Sequence, residues 1–406
     1  MVLEYKIKTI FPAIFCAVFM LSCETVDKTS EPIEEDNLSK YAYSSWVDSI
    51  FLEHFTQLNT SNLKLTQTPG AAIVVVKDSS ILFQQLFGVK SVASKSPVDT
   101  NTIFRIGSLS KGFTGTLAAK LHHKGIIDLY APVSQYLPKF KLSDPEQTKR
   151  IKLIHLLSHS IGLPPHSYTL DIEAGNTAYE ILPLFEKVDL VGQEGTHFYQ
   201  NAAFALIEQI IENQTNKSFR EVLYEELLGP LEMSSVTSTH EQFIDHGNYS
   251  YSHKWNKAFQ RYQVAPFKKK YYSAVSAGGL SASSADMAKW LIALLGNAPL
   301  VLSDSTLNIA FTSFVSTHTD LRGFNQWEGV DSTFYGLGWR ILQYKNRELI
   351  YHGGYVDEFR SGLLIDRSKR LGICVLFNST SSYSNQVILN FLHYFDLLAT
   401  VKSELE

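Results

Sequence analysis

The chain has 406 residues, 45% hydrophobic and 19% charged, which is enough apolar surface for a large core and argues against a disordered protein. A net charge of −4, with no basic stripe, argues against nucleic acid as a partner. Three cysteines cannot build a disulfide framework, and Cys374, inside the apolar run 371–377, is expected as a buried, inert thiol.

Lys6 and Lys8 precede an apolar run over 10–21 that is broken only by Pro12. This is the charged-then-apolar layout of an export signal, and the run is short for a spanning helix. It ends in Met20-Leu21-Ser22-Cys23, which resembles a bacterial lipoprotein cleavage box, with Met20 a looser fit than the usual leucine. Residues 1–22 are therefore expected to be a removable signal and Cys23 the lipidated first residue, anchoring the protein to a membrane of the bacterial cell envelope. Plain secretion with cleavage nearby, or an uncleaved anchor, is the alternative. Residues 23–38, polar and acidic with Pro32, read as a flexible tether, and 39–400 as the folded domain.

Tyr43, Trp46, Val47, Ile50, Phe51, His54 and Phe55 recur at three and four, predicting an amphipathic helix from about Ser39. The β-rich runs 71–77 and 81–88, joined at Asp78-Ser79-Ser80, predict a hairpin whose first strand is apolar enough to be buried on both faces. A helix is expected from Lys111 to about His122. From 127 to 295 the text is mostly helical, broken by Pro138, Pro164-Pro165 and Pro266. It includes a helix just after Asn201 with Phe204, Ile207, Ile210 and Ile211 on one face. Strands return over 334–341, 349–351, 360–365 and 371–377, and a helix over 387–398 closes the chain. The order predicts an α+β fold. One antiparallel sheet, flanked by helices, comes from the N- and C-terminal parts, the 127–295 region is an inserted helical lobe, and the cleft between them is the default site.

Ser108 and Lys111, in Gly107-Ser108-Leu109-Ser110-Lys111, are three apart at a helix start, so hydroxyl and amine share one face. A desolvated lysine amine can remove the proton of an otherwise weak serine nucleophile. Ser61-Asn62-Leu63-Lys64 has the same spacing, in a polar stretch without a helical apolar stripe. Further along come Tyr199-Gln200-Asn201, at the head of an amphipathic helix, and His352-Gly353-Gly354, expected at a strand start. Tyr344-Lys345-Asn346 and Tyr383-Ser384-Asn385 also fit Tyr-x-Asn, but only Tyr199 lies between Lys111 and His352, in a helix-start context. The stretches 156–163, 277–281 and 335–339 support the same pattern.

In this order the motifs resemble serine β-lactamases and penicillin-binding proteins, the class C type above all, over about residues 65–380. The resemblance implies an acyl-enzyme on Ser108, with Lys111 and Tyr199 as base and acid. It places Asn201 on a substrate amide or carbonyl, the backbone N–H groups of Ser108 and Tyr355 in an oxyanion hole, and His352, Gly353 and Gly354 along the substrate. It implies no metal and no cofactor. Two departures bear on the substrate. Gly353 stands where the β-lactamases have a threonine hydroxyl, and His352, mostly neutral at pH 7, where they have lysine. A substrate carboxylate is then poorly anchored unless Arg360 compensates. The expected substrate is a small-molecule or peptide acyl donor, an ester or a D-amino-acid peptide, with weak or no β-lactamase activity.

Other chemistries fit less well. Ser158-His159-Ser160-Ile161-Gly162 lacks the first glycine of a nucleophile elbow, so Ser158 and His159 are expected as local hydrogen bonders. His240-Glu241-Gln242-Phe243-Ile244 lacks the second histidine of a zinc helix, and His155 and His159 lack a carboxylate partner. A non-catalytic sensor that keeps the fold is the remaining alternative; the presence of Ser108, Lys111 and Tyr199 together speaks against it.

Overall fold

A computed structural model describes residues 35–317, 324 and 327–405. The signal 1–22, Cys23 and most of the tether lie outside the described residues. Two units divide at Ser49/Ile50, and every element below except the start of the first helix belongs to Ile50–Glu406. In chain order the main elements are helix α1 (Glu35–Leu65), strands β1 (Gly70–Lys77), β2 (Ser80–Gly88) and β3 (Phe104–Arg105), and helices α2 (Ser110–His123) and α3 (Asn201–Thr215). Strands β4 (His253–Asn256), β5 (Arg261–Val264) and β6 (Ser281–Ala282), helix α4 (Ser284–Ile292) and strand β7 (Val315–Ser316) follow. Strands β8 (Val330–Tyr335), β9 (Arg340–Tyr344), β10 (Arg347–Val356), β11 (Phe359–Asp366) and β12 (Leu371–Phe377) precede the closing helix α5 (Val387–Leu405).

Eight strands form one antiparallel sheet in the order β2-β1-β12-β11-β10-β9-β8-β7, so the N-terminal hairpin joins the C-terminal meander through the β1–β12 pair. Alternate side chains of a strand point to opposite faces, and here the two faces feed two cores. Ala72, Val74 and Val76 of β1, with Leu363 and Cys374, join the helical lobe's core around Phe113, Phe204 and Trp290. Ala71, Ile73 and Val75, with Leu364, Ile373 and Val375, pack on Phe51 and Phe55 of α1 and Phe391 of α5. This is why β1 and β12 read as unbroken apolar runs. Cys374 is buried and its thiol pKa is pushed up by desolvation.

Several expectations are corrected. Helix α1 begins at Glu35, inside the proposed tether, and runs through Ser61–Lys64. The second Ser-x-x-Lys is therefore helical after all. Leu63 is its buried position while Ser61 and Lys64 are exposed, which places the pair on a solvated face. The run 334–341 is two strands broken at 336–339, because Gly338 takes φ +70 and a Cβ there would overlap the Lys111 carbonyl. His352-Gly353-Gly354 lies within the ten-residue β10 rather than at a strand start. The helical lobe also contains the β4–β5 hairpin, held by Trp255 against Tyr262. Among the described residues no helix is long and apolar enough to cross a membrane.

Candidate active site

Ser108 lies in a single 3-10 turn, Gly107–Leu109, that leads straight into α2. Two glycines press this turn onto β10. Gly107 has φ +51, and a Cβ on it would sit 2.8 Å from the backbone N, C and O of Tyr355. A Cβ on Gly354 would overlap Ile106 O and Ser361 Oγ, and the Ser361 hydroxyl donates to that same carbonyl at 2.7 Å. Gly354 thus makes room for the chain's own turn that carries Ser108, a different reason for glycine than substrate approach. The contact sets the backbones of Ser108 and Tyr355 side by side.

Lys111, one turn along, is completely buried. Its Nζ lies 3.4 Å from Ser108 Oγ and donates to Asn201 Oδ1 at 2.8 Å and to Ala277 O at 2.6 Å. Burial, aided by the Arg340 cation, holds its pKa well below the ordinary lysine value. On the other side of the serine, Tyr199 Oη donates to Ser108 Oγ at 3.0 Å. Asn201 opens α3 and has both faces of its amide engaged. Its Oδ1 receives Lys111, and its Nδ2 donates to Tyr271 Oη at 3.0 Å and Thr169 Oγ1 at 3.3 Å.

His352 is buried, with Nε2 2.8 Å from Tyr335 Oη and Nδ1 2.7 Å from Gly353 O. Burial and the nearby Arg340 and Lys111 cations hold it well below the usual histidine pKa, so it is neutral. His159 is not a local hydrogen bonder. It reaches forty residues along the chain, where its Nδ1 accepts from Gln200 N at 3.1 Å and its carbonyl from Phe198 N at 2.8 Å. His155 instead accepts from Lys152 N, so the two histidines do not share a ligand site. The hydroxyls of Ser158 and Ser160 bond each other at 2.8 Å. Tyr344 and Tyr383, the other Tyr-x-Asn matches, bond Asp396 and Asn59. Among the described residues, no group of three or more His, Cys, Asp or Glu is placed to hold a metal.

These groups open into a pocket of about 560 Å³ between the sheet and the helical lobe. Phe324, Trp327 and Tyr351 form one wall, with ring centroids 5.0–5.7 Å apart. Arg360 lines the pocket with its guanidinium 4.8 Å from the Tyr355 ring. Arg340, Tyr271, Thr169 and His166 also line it and were not singled out from the sequence. Arg340 directly follows the supporting stretch 335–339, which is the one signal that pointed its way. Its guanidinium stands 6.0 Å from the Tyr199 ring and 5.6 Å from the Tyr335 ring.

An eight-stranded antiparallel sheet, an inserted helical lobe and a Ser-Lys-Tyr cluster in the cleft define a penicillin-binding, β-lactamase type of fold. The same architecture is seen in the octameric penicillin-binding protein homologue from Pyrococcus abyssi, with a TM-score of 0.73 and 24% identity over 84% of this chain and 76% of that one. Residues 55–393 match the beta-lactamase family, and the chain belongs to it. Among its relatives are the unguisins hydrolase ungD' of Aspergillus campestris, 26% identical over 344 residues, and the protein flp of Staphylococcus aureus, 25% identical over 332. The matches take in 82% and 80% of this chain but only 62% and 63% of those two proteins.

Proposed function

We propose that this protein is a serine hydrolase working through an acyl-enzyme on Ser108. One observation carries the reading: Tyr199 Oη at 3.0 Å and Lys111 Nζ at 3.4 Å converge on the same Ser108 oxygen. A neutral amine that spends two N–H bonds on Asn201 and Ala277 turns its lone pair to the Ser108 hydroxyl. Lys111 takes that proton as Oγ attacks the substrate carbonyl carbon. The charge moving onto the carbonyl oxygen meets the N–H groups of Ser108 and Tyr355, a pair of which each member is worth on the order of a hundredfold in rate. Tyr199 then protonates the leaving group and recovers a proton from Lys111, and water repeats the sequence on the acyl ester. Arg340, beside the Tyr199 ring, and the protonated Lys111 supply the positive charge that a transient phenolate needs until the proton passes back.

The substrate reading is a short ester or a D-amino-acid peptide. His352 has both ring nitrogens committed to Tyr335 and Gly353, so it offers no cation to a β-lactam carboxylate, and Gly353 offers no hydroxyl. Arg360 and Arg340, both on the pocket wall, are the groups suited to a peptide carboxylate. The hydrolase in the name of the Aspergillus relative agrees with the reaction class. The test is a panel of p-nitrophenyl esters, D-alanyl peptides and nitrocefin on wild type beside Ser108→Ala, with fluorophosphonate labelling of both. Turnover of esters or D-alanyl peptides above nitrocefin, abolished in Ser108→Ala, is expected. Absence of any adduct on wild type would sink the enzyme reading.

The leader's charged-then-apolar layout and Cys23 support placement at a bacterial envelope membrane by a lipid anchor. Cys23→Ser is expected to move the protein from the membrane fraction to the soluble one; unchanged fractionation refutes the anchor.

A further inference from the structure

On the proposed reading Tyr199 must hold its phenol against Ser108, where its Oη donates at 3.0 Å. The backbone around it is tied by His166, whose N–H donates to the Tyr199 carbonyl at 2.8 Å, and by His159 on both flanks. His159 brackets Tyr199 from both sides, its carbonyl accepting from Phe198 N and its Nδ1 from Gln200 N, while the two rings lie 4.2 Å apart, tilted by 40°. His159 is buried and sits at φ +58, a left-handed conformation that a non-glycine residue adopts only where the surroundings enforce it.

The bond directions from His159 onward are determined by what each atom can donate. Because Nδ1 accepts from the Gln200 N–H, the neutral ring carries its proton on Nε2 and donates it to Tyr335 Oη at 3.2 Å. At the far end, His352 Nδ1 faces the Gly353 carbonyl at 2.7 Å and must be the protonated nitrogen of that ring. Its Nε2 is therefore an acceptor, and Tyr335 Oη donates to it at 2.8 Å. The chain Gln200 to His159 to Tyr335 to His352 to Gly353 has every donor matched to an acceptor and runs in one direction. Both histidines are held neutral by burial in the company of Lys111 and Arg340, with His197 also near His159. The chain joins three separate elements: the turn after the helix at Leu153–Leu157, the end of β8, and β10 beside the nucleophile.

We propose that His159 is a positioning residue of this active site, holding Tyr199 against Ser108 through an ordered hydrogen-bond chain that passes by Tyr335 to His352. The inference rests on the Ser108 hydrolase reading, and its consequences separate from it. His159→Ala removes the acceptor for Gln200 N–H and the donor to Tyr335. His159→Asn keeps an acceptor in the Nδ1 position, on a residue type that tolerates left-handed φ. Ester turnover is to be measured on the full chain, with kcat normalised to the fraction of sites labelled by fluorophosphonate, so that misfolded protein does not count.

The expected result is a fall in kcat per labelled site of about tenfold or more for His159→Ala, with KM changed less than about twofold, and substantial recovery in His159→Asn. A second readout needs no turnover. Long-range proton–nitrogen spectra of the histidines at pH 7, assigned by the signal lost in His159→Asn, should show His159 neutral with its proton on Nε2. Wild-type kcat per site in His159→Ala, or a His159 that is cationic or protonated on Nδ1 alone, overturns the inference while leaving the hydrolase reading in place. A wild type that neither labels nor turns over ester overturns both.

Discussion

On the proposed reading, Lys111 is the residue on which the chemistry depends. Its polar partners, a hydroxyl, an amide oxygen and a backbone carbonyl, are all neutral, and beside them only the Tyr199 and Phe204 rings, 4.9 and 5.4 Å away, favour a cation, so no carboxylate repays the desolvation of a charge. A buried ammonium without a carboxylate loses its proton more readily than one in water, which is the state a general base needs. On that reading Lys111→Ala removes the base and Tyr199→Phe removes the proton for the leaving group. Each is expected to cut ester turnover by about a hundredfold or more, since positioned proton transfer contributes about 10² to 10⁴. The fold should survive both. Lys111→Ala leaves two acceptors short, and hydrogen bonds of this kind are worth about 0.5–1.5 kcal/mol each. Near-normal p-nitrophenyl ester turnover in either variant, with an unchanged melting curve, would remove that residue from its role.

At the level of elements, the third motif is a packing device as much as a wall of the pocket. In Gly354→Ala the new methyl must displace Ile106 O or Ser361 Oγ, and so must push the nucleophile turn off β10. Overpacking of this kind costs about 1–3 kcal/mol, and the separation of the Ser108 and Tyr355 backbones should lower turnover by about tenfold or more. Wild-type turnover in Gly354→Ala would show that this contact does not set the oxyanion wall. The same contact explains why β10 was hard to see in the sequence. Two adjacent glycines lower strand propensity, yet the strand runs on through them, with Ile106 O and Ser361 Oγ filling the side-chain space at Gly354 and Tyr351 Oη that at Gly353.

Other elements divide in a similar way. The runs at β1 and β12 were legible because burial on both faces leaves an unbroken apolar text, and α3 because Phe204, Ile207, Ile210 and Ile211 repeat at helical spacing. The β4–β5 hairpin was not legible, since most of its residues are only half-buried or exposed and give no alternation to read. Within the site, Ser108, Lys111, Tyr199 and Asn201 come from motifs with local spacing. Tyr271, Arg340 and His159 arrive from remote segments through tertiary packing, for which spacing along the chain carries no information. His159 was noticed and given a local role, because its partner Gln200 lies forty-one positions away.

For the molecule as a whole, buried histidines set the response to acid. His159 and His352 belong to the site, and His253 joins the start of β4 to the sheet: its Nε2 accepts from Val92 N and its Nδ1 faces Asn378 O. Each of the three has an accepting nitrogen that already faces a donor, so a second proton would set donor against donor. Desolvation lowers all three, His253 to about 4. A lowered histidine pKa means that the unfolded chain binds more protons below pH ~6.5. Stability is then level above that pH and falls beneath it, by about 1.4 kcal/mol per pH unit for each histidine. Glu208 acts in the opposite sense. Half-buried on α3, it accepts from Ser276 N at 2.7 Å and Ser276 Oγ at 2.6 Å, and desolvation raises its pKa to about 7. Its folded form binds the extra proton between pH ~4.5 and ~7, so its contribution grows as pH falls through that window and is lost as pH rises towards neutrality. Arg220, which favours its charge, and Glu212, which opposes it, are the ionised groups near it. Glu208→Gln keeps an oxygen acceptor for Ser276 and removes the titration. The variant should melt higher than wild type at pH 8 and lose that advantage by pH 5, giving a steeper acid decline than wild type between pH 7 and 5. Parallel melting profiles for the two proteins over that range would show that Glu208 carries its proton at an ordinary carboxylate pKa, and that its surroundings in the middle of α3 are wetter than their packing implies.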